Sequence, residues 1–382
     1  MTNTTVLADN ALFESAVRGA LDTESTGTGL RFSRLPRWTR DQFGENWPLH
    51  FVAGQSSGMR LEFDTEATWI ELEATFARIS MESAGIPLSP AVLSVTSGAV
   101  AQDYSFDEGD VWQVEADWTY KLVRGNRTLA RFNLPPHVGK RNVSLWLPHN
   151  CSVELRGIRS DRPLSPGVNS ARRWIHYGSS ISQASEAATP LGVWPVIAAR
   201  KLGLDLLNLG LAGNAMMDQF VARTIRDQPA DLITLKLGIN VVNSAAYRTR
   251  TFTPVVHGFL DTIREGHSET PIVLTSPIHC PVHEDAPGPT IFERGKARAS
   301  DIPRTPHDGQ LTLSDIRSAL EAVRDIRSKS DPNLYFLDGT RLLGADDSEH
   351  LPDCLHPDNE GYAMMGERFA SIASSALWLP TH

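Results

Sequence analysis

The feature that most constrains the fold of this chain is a change in hydrophobic period near residue 165. Before it, apolar and polar residues alternate in short runs, such as Met59-Arg-Leu-Glu-Phe63 and Ile70-Glu-Leu-Glu-Ala74. A period of two places alternate side chains on one face of a strand. Turn residues separate the runs, and only one short amphipathic helix, over residues 9–21, is predicted. This pattern predicts an antiparallel β-sandwich over residues 1–165.

After about residue 170 the pattern becomes strand, turn and helix, repeated several times, and residues 161–167 are predicted to be a linker. Strands are predicted at 173–177, 204–209, 231–237, 271–276 and 334–338. Helices are predicted at 194–202, 220–225, 253–264, 313–328 and 359–376, and a Pro/Gly-rich loop at 277–310. Continuous apolar strands that alternate with helices are typical of a parallel sheet covered on both faces. We therefore expect a second domain, of the α/β class, over residues 170–382.

Composition and charge exclude several kinds of partner. The 382 residues carry a formal net charge of −9, which argues against nucleic acid and anionic membranes as partners. No apolar run approaches the roughly 18 residues of a membrane span, and three scattered cysteines fit a reducing compartment, so a cytoplasmic location is expected. His279-Cys280-x-x-His283 has metal-binding residue types but no clear fourth ligand. No metal and no bound cofactor are expected.

Polar residues stand at four of the predicted strand ends, and each alone is explained by ordinary turn chemistry. They are Ser180, Gly213, Asn240, and the pair Asp353 and His356. Because sites in parallel sheets form at the carboxyl ends of the strands, the four positions converge on one edge. The spacing of Asp353 and His356 lets the carboxylate orient the imidazole towards a serine. Together they predict a serine nucleophile with its base, its acid and an oxyanion hole.

Four ordered blocks over residues 170–382 resemble those of the SGNH/GDSL hydrolase superfamily: Gly178-Ser-Ser-Ile181, Asn208-Leu-Gly-Leu-Ala-Gly-Asn214, Gly238-Ile-Asn240 and Asp353-Cys-Leu-His-Pro357. The resemblance implies a flavodoxin-like catalytic domain after a jelly-roll-like sandwich. It implies that Ser180 is the nucleophile, His356 the base and Asp353 its partner. It also implies that the oxyanion donors are Ser180, Gly213 and Asn240.

One position departs from the family pattern, because Ser179 stands where aspartate is usual. Either serine could then attack, and the register of the block favours Ser180. The block that follows the first strand is otherwise complete, and the role expected of Asp353 does not depend on this difference.

The resemblance to two-domain members of the superfamily suggests two functions, and a third alternative stays open beside them. The chain resembles acyltransferases of antibiotic pathways, which implies transfer of an aromatic acyl group, such as salicylyl, from acyl-CoA to a hydroxyl of a polyketide. It also resembles carbohydrate esterases, which implies hydrolysis of acyl esters. The third alternative is an inactive scaffold that binds glycans through the aromatic residues of the sandwich. Those residues can equally form core: Trp38, Trp47, Trp69, Trp112, Trp118 and Trp146.

Overall fold

A computed structural model describes residues 4–7, 10–44, 46–81, 88–115, 119–301 and 308–379. The chain forms two compact units. The first comprises Met1–Arg40, Gly44–Ser170 and Ala188–Leu191, and the second comprises Asp41–Phe43, Ala171–Ala187 and Gly192–His382. Within the described ranges, the structure contains no helix long and apolar enough to cross a membrane.

The first unit is built from two sheets. Its strands are β1 (Thr4–Leu7), β2 (Val17–Arg18), β3 (Asp22–Ser25), β4 (Leu30–Ser33), β5 (Arg60–Thr65), β6 (Trp69–Ser80), β7 (Ala91–Ser97), β8 (Val100–Phe106), β9 (Asp110–Val114), β10 (Tyr120–Val123), β11 (Thr128–Asn133), β12 (Arg141–Trp146), β13 (Ser152–Ser160) and β14 (Leu164–Pro166). One sheet runs β10-β9-β6-β13-β4-β3, with β1 beside β13 and β11 beside β6. The other runs β14-β5-β12-β7-β8, with β2 beside β5.

The two sheets share one hydrophobic core, which makes the first unit a β-sandwich. Leu72 and Phe76 of β6 and Leu61 and Leu145 of the other sheet all lie in it, and each is at most 1% exposed. Neighbouring strands pair antiparallel except β6 and β9, which pair parallel. In these strands apolar and polar side chains alternate, so each strand has one apolar face. Burial of that face against the opposite sheet fixes the position of the strand. The predicted sandwich is confirmed.

Local departures from the predictions have local causes. The predicted helix 9–21 is shorter, because α1 (Asn10–Ala16) gives way to β2, where Val17 pairs with Leu61. The predicted linker contains β14, which pairs with β5. An unpredicted helix, α2 (Trp47–Gly54), begins where the Asn46 side chain accepts a hydrogen bond from the Leu49 N–H.

The tryptophans of the sandwich occupy different environments. Trp146 is buried, as the core interpretation predicts. Trp47 and Trp112 both pack on Tyr120, with ring centroids 4.5 and 5.6 Å apart, and Tyr120 is 48% exposed. Trp118 lies outside the described residues. The aromatic residues therefore contribute both to the core and to a small surface cluster.

The second unit is a parallel α/β fold. Its strands are β15 (Arg172–Gly178), β16 (Leu204–Gly210), β17 (Leu232–Lys236), β18 (Ile272–Thr275) and β21 (Leu334–Leu337), and a hairpin is formed by β19 (Thr290–Glu293) and β20 (Lys296–Ala299). Its helices are α3 (Ser180–Gln183), α4 (Trp194–Leu202), α5 (Gln219–Arg226), α6 (Ile239–Asn243), α7 (Thr249–Arg264), α8 (Leu313–Arg327) and α9 (Asn359–Ser374). The sheet order is β16-β15-β17-β18-β21, all parallel, which is the flavodoxin-like order. The predicted α/β class is confirmed.

Helices cover both faces of this sheet. Trp174 of β15 stacks on Phe369 of α9, with centroids 5.0 Å apart, on one face. Tyr177 of the same strand stacks on Phe259 of α7, with centroids 5.5 Å apart, on the other. Residues three apart in a strand point to opposite faces, so burial on both sides holds β15 at the centre. Its carboxyl end is thereby fixed.

Candidate active site

The turn after β15 presents Ser180 and buries Ser179. The hydroxyl of Ser179 accepts a hydrogen bond from the Ile181 N–H (3.3 Å) and caps α3, and Ser179 is 0% exposed. A side chain at Gly178 would place its Cβ 2.2 Å from the Ser182 Oγ, so only glycine fits there. Ser180 follows at the first position of α3 and is half-buried. Of the two serines, Ser180 is the one whose hydroxyl faces another functional group.

Ser180, His356 and Asp353 form a continuous hydrogen-bonded line. The Oγ of Ser180 lies 2.9 Å from Nε2 of His356, and Nδ1 of His356 lies 2.7 Å from Oδ2 of Asp353. A carboxylate can only accept, so Nδ1 carries the proton and Nε2 accepts from the serine hydroxyl. Oδ1 of Asp353 accepts the N–H groups of Leu355 (2.9 Å) and His356 (2.6 Å). One oxygen of the acid thus orients the turn and the other orients the base.

Local charge sets the protonation of this line. Burial disfavours the imidazolium, but the nearby carboxylates of Glu186 and Asp353 outweigh it and raise the pKa of His356 above 6.5. Burial also acts against the carboxylate of Asp353. The hydrogen bonds and charge of His356, together with the Leu355 N–H, outweigh it and lower the pKa of Asp353. The site therefore favours the ion pair that forms when the base takes a proton.

The predicted oxyanion donors lie on neighbouring strand ends. The turn after β16 is attached to the nucleophile strand, because the Leu211 N–H donates to the Gly178 carbonyl (2.8 Å). Gly213 lies in this turn with a φ of +69°, a conformation that favours glycine. Asn240 is 3% exposed, and its Oδ1 accepts from the Ala215 N–H (3.0 Å), which leaves its NH₂ group as the donor. The structure thus brings the turn of Gly213 and the first turn of α6, which carries Asn240, together.

Other residues of the block after β16 shape the turn itself. The Ala212 N–H donates to the side-chain oxygen of Gln183 (3.0 Å), and the amide of Asn214 donates to the Ala212 carbonyl (2.6 Å). At Gly210 a Cβ would lie 2.4 Å from the Gln183 nitrogen. The close approach of two backbones explains the glycine at this position.

The residues with metal-binding side chains turn to separate partners. His283 uses both ring nitrogens, one towards the Ala286 carbonyl (3.0 Å) and one towards the Thr290 hydroxyl (2.7 Å). Nδ1 of His279 faces Glu284, whereas the Cys280 thiol donates to the Cys354 carbonyl (3.3 Å). In the part of the chain that is described, no group of three or more His, Cys, Asp or Glu side chains is arranged to hold a metal ion.

Sequence reasoning missed the carboxylate of Glu186, which lies three residues beyond α3. Its Oε2 accepts a hydrogen bond from the hydroxyl of Tyr362 (2.8 Å), a residue in the first turn of α9 that is 0% exposed. Sequence separation hides this contact, because the two partners are 176 positions apart in the chain. Nothing in the local pattern around Glu186 distinguishes it from a surface carboxylate.

Buried polar residues under the site were also missed. His176 hydrogen-bonds to the hydroxyls of Ser182 (2.8 Å) and Thr234 (2.6 Å), and burial, reinforced by the charge of Lys236, lowers its pKa to about 3. His176 is therefore a neutral structural residue. The amine of Lys236, at the end of β17, has no hydrogen-bond partner among the described residues and is 1% exposed.

Burial lowers the pKa of Lys236 to about 7. The thiol of Cys280 opposes this fall, and the nearby charge of Arg317 contributes to it. A lysine of this kind is mostly charged below neutral pH and mostly neutral above it.

The comparisons with known proteins agree with this geometry. The model of the GDSL-like lipase/acylhydrolase family matches residues 171–373. A search of curated proteins finds no significant match. The structure of the salicylyl-acyltransferase SsfX3 from a tetracycline biosynthetic pathway is 26% identical, with a TM-score of 0.81, over 99% of both chains.

Carbohydrate esterases share the fold at lower identity. An active-site mutant of a family two carbohydrate esterase from Clostridium thermocellum is 12% identical, with a TM-score of 0.61, over 99% of this chain and 100% of that chain. A family two carbohydrate esterase from Cellvibrio japonicus is also 12% identical, with a TM-score of 0.55, over 99% of both. The resemblance to the SGNH/GDSL superfamily is confirmed, and with it the assignment as an enzyme. The family match spans more than half of the chain, which therefore belongs to the GDSL-like lipase/acylhydrolase family.

Proposed function

We propose that this enzyme transfers acyl groups through an ester intermediate on Ser180. The observation that carries the proposal is the line from Ser180 through His356 to Asp353, with hydrogen bonds of 2.9 and 2.7 Å. Such a line activates a hydroxyl that is otherwise a weak nucleophile at neutral pH.

The reaction follows from the positions of the groups. As Oγ of Ser180 attacks the acyl carbonyl, its proton passes to Nε2 of His356. The N–H groups of Ser180 and Gly213 and the side-chain amide of Asn240 would donate hydrogen bonds to the carbonyl oxygen. These bonds would stabilise the negative charge that develops on it. Collapse of the tetrahedral intermediate breaks the bond to the leaving group, which takes the proton from Nε2. The acceptor hydroxyl then passes its proton to Nε2 of His356 as its oxygen attacks the acyl ester. Collapse of this second intermediate breaks the bond to Oγ of Ser180, which takes the proton back from Nε2.

We propose a hydroxyl compound as the acceptor and an acyl-CoA thioester as the donor. The support is the match to a salicylyl-acyltransferase along almost the whole chain, with a TM-score well above those of the carbohydrate esterases. The corresponding substrates are two small molecules: the thioester of an aromatic acid, which donates the acyl group, and a polyketide, whose hydroxyl accepts it. A cytoplasmic location belongs to the same proposal, because it supplies acyl-CoA.

Hydrolysis of acyl esters is the second candidate. The family model is that of lipases and acylhydrolases, and carbohydrate esterases share the two-unit fold. The difference between the two functions lies in whether water or a hydroxyl substrate receives the acyl group, since the first half of the reaction is common to both.

Intact-protein mass spectrometry tests the proposal. The enzyme is incubated with acetyl-CoA, benzoyl-CoA or salicylyl-CoA, and digestion then locates the added acyl group. We expect the mass increase on Ser180 and none in Ser180→Ala. With a polyketide phenol present, the acyl ester of the phenol should form; free acid as the only product would support the esterase. A protein that is neither acylated by these thioesters nor labelled by a fluorophosphonate would support the inactive scaffold.

A further inference from the structure

The chain segments that carry the nucleophile and the base are joined by a second contact outside the triad. After Ser180, α3 ends in a left-handed residue, Ala184, with a φ of +55°, and the chain turns back. Glu186 lies in this turn and is exposed, with its carboxylate hydrogen-bonded to the buried hydroxyl of Tyr362 at 2.8 Å. Tyr362 follows His356 by six residues, in the first turn of α9.

The bond has a direction that matters for charge. Tyr362 can only donate to the carboxylate, and burial together with the charge of Glu186 holds the pKa of the tyrosine well above its usual value. Tyr362 therefore remains a neutral donor at any working pH. Its rigid ring fixes one end of the Glu186 carboxylate without neutralising it, and the charge of this carboxylate acts on His356.

We propose that Glu186 is a positioning residue for the triad: held by Tyr362, its carboxylate supplies a second negative charge that stabilises the imidazolium of His356. This inference rests on the proposed function, because the imidazolium forms only if His356 takes the proton of Ser180. Asp353 acts on the Nδ1 side of the ring. Glu186 belongs to the segment that follows the nucleophile, so the two carboxylates that act on the base come from different parts of the chain.

Two further titratable groups, Cys280 and Lys236, act differently from Glu186. Cys280 contacts the carbonyl of Cys354, and burial raises the pKa of its thiol to about 11, so it is neutral in the range of an assay. Lys236 interacts with Cys280 and titrates near pH 7. Because both residues remain in every variant compared below, the difference between two pH profiles isolates Glu186.

The test is the pH dependence of kcat/KM for p-nitrophenyl acetate in wild type, Glu186→Gln and Tyr362→Phe. In Glu186→Gln the imidazole loses its proton more easily, so the acid limb moves to lower pH. When each profile is divided by its own plateau, kcat/KM on the acid limb is about 1.5- to 5-fold higher in Glu186→Gln than in wild type. This is the range expected for one solvent-exposed charge pair. The plateau of kcat/KM falls by a similar factor, because the imidazolium is less stabilised during acyl transfer. Tyr362→Phe keeps the charge of Glu186 but removes the hydrogen bond that holds its carboxylate. The acid limb should therefore move to lower pH by a smaller amount than in Glu186→Gln.

Glu360→Gln is the matched control, because Glu360 is an exposed carboxylate in the same first turn of α9. Its profile should superimpose on that of wild type, and Glu186→Asp should restore most of the wild-type profile. A Glu186→Gln profile that superimposes on wild type would overturn the inference, as would an equal shift in Glu360→Gln. Activity retained in Ser180→Ala would instead overturn the proposed function, so the two failures are distinguishable.

Discussion

Replacement of Lys236 by methionine is expected to stabilise the protein below neutral pH. The two side chains are similar in volume, but methionine brings no amine into a place where the lysine is 1% exposed and lacks a hydrogen-bond partner among the described residues. A charged group that is buried without a partner opposes folding. The substitution removes that cost and keeps the packing of β17.

The magnitude follows from the pKa. A fall from the ordinary value of 10.5 to about 7 corresponds to a cost of about 5 kcal/mol when the lysine is fully charged, at about 1.4 kcal/mol per unit. The folded protein binds fewer protons than the unfolded chain between about pH 7 and 10.5. Wild-type stability therefore rises with pH in this window, and the advantage of Lys236→Met shrinks by about 1.4 kcal/mol per pH unit. Relaxation and water penetration make about 5 kcal/mol an upper limit.

Urea unfolding at pH 6 and pH 9 measures both effects, with enzyme activity as the probe of the second unit. Lys329→Met is the control, because Lys329 is exposed in the same unit, and its effect should be small at both pH values. The reasoning is refuted if Lys236→Met is less stable than wild type at pH 6. It is also refuted if the advantage of methionine is the same at both pH values.

Three further predictions concern the triad and the oxyanion hole. Ser179→Ala should remain active and lose about 1 kcal/mol of stability with its cap, whereas Ser180→Ala should lose both turnover and fluorophosphonate labelling; a label on Ser179 would contradict the assignment. Asn240→Ala should lower kcat by about 10²–10³ with little change in KM, measured by steady-state kinetics, and an unchanged kcat would remove Asn240 from the oxyanion hole. Because the pKa of His356 is raised above 6.5, activity should fall as pH decreases through a value above 6.5; an acid limb below pH 6.5 would show that the carboxylates do not act on the base.

The sheet and the triad could be predicted because each depends on short patterns. Continuous apolar runs such as Ile272-Val-Leu274 mark buried parallel strands, and polar residues after such strands must lie at one edge of the sheet. Asp353 and His356 are three residues apart, so the acid and the base share one turn. The distance of 2.9 Å between Ser180 and His356 then follows from the topology rather than from any local pattern.

Other features could not be read from the sequence, for physical reasons. Glu186 is defined by a partner 176 residues away, and Lys236 resembles an ordinary polar strand end until the surrounding helices bury it. The hairpin of β19 and β20 lies in a stretch whose prolines and glycines indicate a loop. Its Ala297 N–H donates to the carbonyl of Asp353 (2.8 Å), a tertiary contact that no spacing rule predicts.

The separation between nucleophile and base has a consequence for the newly made chain. Ser180 sits after the first strand of the sheet, and His356 follows it 176 residues later. At a synthesis rate of about 5–20 residues per second, this interval is about 9–35 s. Throughout it the growing chain carries a serine with no base to activate it. Because Asp353 and His356 lie in the same turn, the acid and the base are synthesised together. The serine therefore becomes reactive in a single step late in synthesis.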